Sequence, residues 1–460
     1  MASLSRTTLQ HRVWRWHFIA GLMSVPFAVI LAVTGATYLF KAQYENAVER
    51  AVNAAAPPAA AGYVLTADEI VAAAQSQYPD ATFKRLFLPR FEGDRSMEVE
   101  LARPDGARIL WVDLGSGANL KDVAKDARLM NFVKRIHGTL MAGDAGAIVV
   151  ELMASWMIVL IVTGAALWWP RSGPKTQAFA PKLEPKAAPP RETLRRLHGA
   201  GGAWIGGFVL LLLVSGLPWT QVWGDGFDRV QAAMGWESPG QEWFVTLQSS
   251  KPPKTDGLNA WSRRAGDEGA VTLTSSDPAS GAELISLQSV LDKVSPQNLP
   301  APTEIQPPRG ANGVWTVRSM VQDRPKRQTI HYDRWTGEEV MRIRFSDYHP
   351  VKRAASYGIA LHEGALFGPL NQAMGVAAAL GVIGLSVTGG LMWWKRRPAG
   401  GLGAPPLPAD RRLAAFVLAT IGLLAAFLPL VALSLIAALA CEALWSMVRR
   451  PKIWASGPAE

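Results

Sequence analysis

A single cysteine, Cys441, stands in a chain of 460 residues, and it lies inside an apolar run. No disulfide can form within the chain, and no multi-cysteine metal or iron–sulfur site can be built. No G-x-G-x-x-G follows a strand pattern, and the phosphate loop G-x-x-x-x-G-K-[ST], H-E-x-x-H and G-x-S-x-G are all missing. A recognisable nicotinamide, flavin, nucleotide or hydrolase site is thereby excluded. Histidine is scarce as well, with seven in the chain, so each one carries information. If this chain moves electrons, something else delivers them: a quinol in the membrane or a cytoplasmic reductase.

The hydrophobic fraction of 49% is ordinary, but the apolar residues are clumped near 18–40, 145–169, 203–220, 370–394 and 413–447. A hydrocarbon core about 30 Å thick takes roughly 20 apolar residues of helix. The first four runs reach or approach that length, and the last is longer and holds Pro429 near its middle. The first run, about 23 residues, exceeds the roughly 7–15 of a signal core and is expected to stay as an anchor. The net charge of +10 collects beside these runs: Arg6, Arg12 and Arg15; Arg171 to Arg196; Lys395, Arg396 and Arg397; Arg411 and Arg412; Arg449, Arg450 and Lys452. Positive loops stay in the cytoplasm, which puts the amino terminus inside and residues 41–144 and 221–368 outside. Charge at membrane edges is not the continuous basic face of a nucleic-acid binder, so no nucleic-acid partner is expected.

An internal repeat runs through the chain. His17 and His198 are each followed 17 residues later by a small hydroxyl residue and glycine, Thr34–Gly35 and Ser215–Gly216. His137 and His362 are each followed 26 residues later by Thr163–Gly164 and Thr388–Gly389, then by Trp168–Trp169 and Trp393–Trp394. The unit is helix, outer domain, helix, used twice in parallel. The capping box Thr66-Ala67-Asp68-Glu69 opens a helix to about Tyr78, and strands follow near 82–90, 95–102 and 107–113. The second copy reads as a helix near 286–294 and strands near 313–320, 326–333 and 338–345. Asp113-Leu114-Gly115-Ser116-Gly117 and Asp333-Arg334-Trp335-Thr336-Gly337 fit one turn pattern.

The expected fold is therefore an α-helical integral membrane protein with four core transmembrane helices, two small outer α+β domains and a C-terminal apolar helical hairpin. Residues 1–43 hold the amino-terminal segment and first span, 44–135 the first outer domain, and 136–170 an outer-edge histidine segment and second span. Residues 171–195 are a cytoplasmic linker, 196–220 the third span and 221–348 the second outer domain. Residues 349–397 hold the other histidine segment and the fourth span, and 398–460 the hairpin, bent near Pro429 with arms of about 16 residues each.

The repeat also sets depth. His17 and His198 open helices at the inner edge; His137 and His362 precede helices that start at the outer edge, the second of them near Pro369. Two histidines at one depth can supply both axial positions of a haem iron, since neutral imidazole suits iron and adds no net charge in a low-dielectric site. His17 pairs with His198 and His137 with His362, for two b-type haems. The glycines of the Thr/Ser–Gly steps are expected to let a porphyrin lie close to a helix backbone. A lone membrane-edge histidine is an ordinary interfacial side chain; four at repeated spacings point to ligation. His331, in an outer strand, is expected to be solvated, and His349 is an alternative outer ligand. Glu151 sits about two turns into the second span, where a carboxylate serves proton handling, a propionate network or helix packing. The tryptophan pairs are accounted for by an aromatic belt.

Several stretches carry a resemblance. Trp14-Arg15-Trp16-His17-Phe18-Ile19-Ala20-Gly21-Leu22, Ile136-His137-Gly138-Thr139-Leu140 and Arg196-Leu197-His198-Gly199-Ala200 do so. Gly216-Leu217-Pro218-Trp219-Thr220, Val222-Trp223-Gly224-Asp225 and Leu361-His362-Glu363-Gly364 continue it in the same order. Over roughly 10–400 the chain resembles the PepSY-associated transmembrane-helix family of iron-regulated inner-membrane proteins. The resemblance implies PepSY-like periplasmic domains and a di-haem siderophore reductase, with ferric siderophore as acceptor and the four family histidines at His17, His137, His198 and His362. Two alternatives share the sequence features: a membrane cytochrome b serving another periplasmic redox partner, and a non-enzymatic PepSY sensor or interaction protein in which the histidines merely pack.

Overall fold

The computed structural model describes residues 6–56, 64–168, 190–236, 284–310, 313–398, 422–424 and 426–448. Its helices are α1 (Arg6–Tyr38), α2 (Lys41–Ala54), α3 (Ala67–Ser76), α4 (Leu129–Thr139), α5 (Gly143–Trp168), α6 (Pro190–Gly216), α7 (Gln221–Met234), α8 (Leu287–Val294), α9 (Pro350–His362), α10 (Pro369–Arg396) and α11 (Pro429–Val448). Among the described residues, four helices, α1, α5, α6 and α10, are long and apolar enough to cross a membrane. A helix satisfies its own backbone polar groups, which is what a hydrocarbon solvent demands. Helices α6, α9, α10 and α11 each open on proline, whose missing N–H costs nothing in the first turn.

The chain divides into two compact units, one of Met1–Ala28, Ile148–Leu213 and Gly384–Glu460, the other of Val29–Ala147 and Val214–Ile383. In the described part of the first unit every residue but those around Leu428 and the end of α10 is helical. Trp156 on α5 donates its Nε1–H to Ser434 on α11 at 3.2 Å. The linker 171–195 up to Pro189 and most of the expected hairpin's first arm lie outside the described residues; the rest of the C-terminal apolar run is α11, 20 residues long.

The second unit holds strands β1 (Thr82–Phe87), β2 (Ser96–Ala102), β3 (Arg108–Asp113), β4 (Asn119–Ala124), β5 (Thr303–Gln306), β6 (Trp315–Ser319), β7 (Gln328–Tyr332) and β8 (Glu339–Arg344). They form one antiparallel sheet in the order β4-β3-β2-β1-β5-β6-β7-β8. This corrects the expectation of two separate small domains. Each half leaves its first strand as an unpaired edge, and such edges seek a partner. Here β1 and β5 take each other, with Leu86 opposite Ile305 and Phe87 opposite Glu304. Strands β4 and β5 were not foreseen; Asn119–Ala124 is polar without alternation, and Thr303–Gln306 is four residues long.

One hydrophobic core serves both halves: Ile70 and Val290 from α3 and α8 join Leu86, Val99, Leu110, Ile305, Val317 and Ile330 from the sheet. Each fully buried aliphatic side chain contributes roughly 1.5–3 kcal/mol. The helices also cap across the halves. Asp68 on α3 accepts the Leu287 and Gln288 N–H groups of α8 at 3.0 and 2.9 Å, and Gln288 Oε1 accepts the Ala67 N–H at 2.7 Å. The other face of the sheet is buried but polar, with Arg85, Glu98, Glu100, Glu304, Arg318 and His331 on it.

Candidate cofactor site

His17 and His198 come together in the first unit, on α1 and α6. Their ring centres are 6.3 Å apart and their planes stand at 87°. His17 Nδ1 lies 3.0 Å from Thr163 Oγ1 of α5, and His198 Nδ1 lies 3.0 Å from Thr388 Oγ1 of α10. Both hydroxyls already donate to a carbonyl one turn back, Thr163 to Val159 at 2.7 Å and Thr388 to Gly384 at 2.8 Å. The hydroxyl oxygen is then the acceptor and Nδ1 carries the proton, which leaves Nε2 as the nitrogen with a lone pair for a metal.

The second unit repeats the arrangement. His137 on α4 and His362 at the end of α9 have ring centres 6.3 Å apart and planes at 76°. His137 Nδ1 is 2.9 Å from Thr34 Oγ1 of α1, and that hydroxyl donates to Ile30 O at 2.7 Å. His362 Nδ1 meets Ser215 Oγ of α6 at 3.4 Å. Burial first, and the neighbouring His362 second, pull the His137 imidazole down to about 4, so it is neutral at ordinary pH.

The four Thr/Ser–Gly steps prove to be partners of the histidines. A Cβ on Gly164 would stand 3.1 Å from His17 Cε1, on Gly35 3.1 Å from His137 Cε1, on Gly216 3.2 Å from His362 Cε1 and on Gly389 3.5 Å from His198 Cε1. At these four steps the missing side chain makes room for the imidazole rings. The exchange is reciprocal within each repeat. α1 sends His17 to the Thr163–Gly164 step of α5 and receives His137 on its own Thr34–Gly35 step. Sequence spacing showed the steps but not whom they serve.

His349 does not join the pair. It caps α9, accepting the Val351 N–H on Nδ1 at 3.3 Å, and its ring stacks on Trp236 with centres 6.0 Å apart. His331 is not solvated, a second correction: it is 0% exposed on the interior strand β7, with Nδ1 3.1 Å from Thr316 Oγ1. Burial first and Arg318 second pull it down to about 4. Glu151 is buried, with buried Ser155 one turn further along α5. At the end of α10, Arg396 lies over the Trp14 ring at 4.3 Å and Arg397 over Trp394 at 3.7 Å, the guanidinium-on-aromatic contacts of a membrane edge. Trp169 lies outside the described residues.

No curated protein matches the chain. A family model does, over residues 14–396, a stretch that begins ahead of His17 and ends behind the Thr388–Gly389 step and so takes in both histidine pairs and all their hydroxyl partners. The match spans well over half of the sequence, and the chain is a membrane protein that belongs to the family of the PepSY-associated TM region.

Proposed function

We propose that this chain is a di-haem b reductase of the bacterial inner membrane, amino terminus in the cytoplasm, that carries electrons across the bilayer to ferric iron in periplasmic siderophore complexes. One observation carries the reading: two histidine pairs, each with ring centres 6.3 Å apart. A metal–imidazole bond is about 2 Å and its nitrogen lies about 1 Å from the ring centre, so a metal gripped by two opposed imidazoles sets the ring centres about 6 Å apart. Among the described residues no group of three or more histidine, cysteine or carboxylate donors is placed to hold a metal ion. Two imidazoles with no further donor would suit the iron of a haem, whose remaining ligands the porphyrin would supply.

Bound haem supplies reversible one-electron chemistry at iron. The chain's own residues do the rest. His17 and His198 would hold one iron, His137 and His362 the other. The hydroxyls of Thr163, Thr388, Thr34 and Ser215 fix ring orientation, and the neutral ligands keep the sites free of added charge. Basic residues beside the apolar runs support the assigned orientation. Each ferric ion takes one electron, so a two-electron quinol serves two. Reduction loosens hard oxygen ligands because Fe(II) stands low in the divalent affinity order.

The test is a reduced-minus-oxidised spectrum with a pyridine haemochrome count on the purified protein and on His17→Ala and His362→Ala. Two b haems per chain, one lost in each variant, are expected. Protein made with ample haem supply that carries none would end the redox reading and leave a sensor. Two haems that no ferric chelate oxidises would point to another redox partner.

A further inference from the structure

The second unit holds a cavity of about 540 Å³ lined by Lys326, Arg327, Gln328, Arg344, Phe345, Ser346, Arg353 and Tyr357 together with Pro300 and Pro325. Four of these side chains are cationic and none is a carboxylate. Lys326 pairs with Asp323 at 3.1 Å, and buried Arg327 donates Nε–H to Val321 O at 2.6 Å. Among the described residues neither Arg344 nor Arg353 has a carboxylate within ion-pair distance. Arg353 and Tyr357 lie on α9, the helix that ends at His362. Tyr357 is five residues from His362, ~7.5 Å along the axis. Phe345 meets Tyr357 with ring centres 5.2 Å apart, so the cavity lining is in contact with the histidine-bearing helix.

The repeat shows that this charge is particular to the second half. Arg353 stands nine residues ahead of His362, as Arg128 stands nine ahead of His137. Arg128 is neutralised by Glu98, Nη1 to Oε1 at 2.8 Å. Glu98 lies opposite Trp111, two residues before Asp113; its counterpart Thr316 lies opposite His331, two residues before Asp333. Arg344, opposite Gln328, stands where the first half has Ala124 opposite Arg108. One half balances its arginine; the other leaves two guanidiniums facing a cavity of small-molecule size.

We propose that this cavity binds the anionic groups of the ferric chelate, which makes the substrate class anionic chelates such as carboxylate or catecholate complexes. The proposal rests on the reductase reading for what is bound, and on the charge balance for where. Guanidinium pairs recognise carboxylate oxygens through charge-assisted, bidentate hydrogen bonds. A lipid phosphate offers related chemistry, but the lining has few apolar side chains for acyl chains.

The experiment is calorimetric titration of the full-length haem-loaded protein with gallium(III) citrate, a redox-inert stand-in for the ferric complex. The cationic gallium complex of desferrioxamine B is the charge control. Wild type is expected to bind gallium citrate, about tenfold more weakly in Arg353→Gln and in Arg344→Gln. An unchanged haem spectrum reports folding, and Arg344, being exposed, is the safer variant. Equal affinity in all three proteins overturns the proposal, as does equal binding of the cationic complex. Repeating the titration in phosphatidylglycerol nanodiscs separates the sources: binding abolished there, with lipid retention lost in Arg353→Gln, gives the cavity to lipid. Arg353-dependent binding of gallium citrate, with reduced haems that ferric citrate fails to oxidise, keeps the cavity and sinks the reductase reading.

Discussion

A threonine with a glycine directly after it does two jobs for three of the four imidazoles, those of His17, His137 and His198. Its oxygen accepts the Nδ1–H hydrogen bond while its own O–H donates to a backbone carbonyl, and the glycine lets the ring lie against the helix. Thr34→Val keeps the shape and removes the acceptor for His137. Groups that orient a ligating histidine are worth about 10–100-fold in metal affinity, so under the proposed haem ligation this variant should bind haem at that site about tenfold more weakly, read by haem titration. Within the other pair the glycines differ. Gly164→Ala forces His17 to give way, whereas Gly389→Ala makes only ordinary contact with His198. Under the proposed ligation the first should lose haem from that site and the second should keep it, both by haemochrome count. If each pair holds a haem as proposed, the near-perpendicular rings, at 87° and 76°, predict a highly anisotropic low-spin ferric EPR signal. A rhombic signal typical of parallel rings would contradict the two pairs.

The two halves meet along β1 and β5, and charge decides that they meet each other. Arg85 Nη1 reaches Glu304 Oε2 at 2.9 Å across the seam and Arg85 Nε reaches Glu100 Oε2 at 3.1 Å. By the repeat, Arg85 and Glu304 are counterparts flanking Leu86 and Ile305, so equivalent positions carry opposite charge. A first half paired with another first half would set arginine against arginine, which disfavours strand exchange between molecules. Glu304 is 1% exposed and also faces Arg318 at 3.8 Å. Glu304→Ala removes the carboxylate shared by Arg85 and buried Arg318 and should destabilise the sheet unit by about 3 kcal/mol, measured by denaturant unfolding. Asp68→Ala removes the cap that α3 lends to α8 and should cost about 1 kcal/mol by the same measurement.

In the molecule as a whole, the sheet has a dry apolar face and a buried polar one, and the polar face makes stability depend on pH. Burial pushes the Glu98 carboxyl above its ordinary range, against the pull of Arg128 and Arg90. His331 carries the clearer signal. Its folded value of about 4 lies below the unfolded 6.5, so the unfolded chain binds the proton more tightly. Its contribution is therefore complete above pH 6.5 and is lost as pH falls through about 4. The full shift corresponds to roughly 3 kcal/mol. His331→Gln should flatten the decline of the thermal midpoint between pH 6.5 and 4 relative to wild type; an unchanged slope would place the titrating groups elsewhere.

The sequence alone determines the candidate spans, because a long apolar helix satisfies its own backbone in hydrocarbon, and it determines the repeat, because intervals of 17 and 26 residues recur around four histidines. It also marks the helix starts, through Thr66 to Glu69 and through Pro369, since caps and prolines act locally. The tertiary structure decides what depends on which surfaces meet. Alternation showed that His331 sits in a strand, but only the covering of that face buries it. The Thr–Gly steps were visible as a pattern, yet their imidazole partners lie more than a hundred residues away and follow from helix packing. Two edge strands with no local mark of their neighbour become the centre of one sheet. The arginine left facing a cavity is known only by comparing two packed halves: Arg128 and Arg353 are alike in the chain, and the carboxylate that neutralises the first stands on another strand.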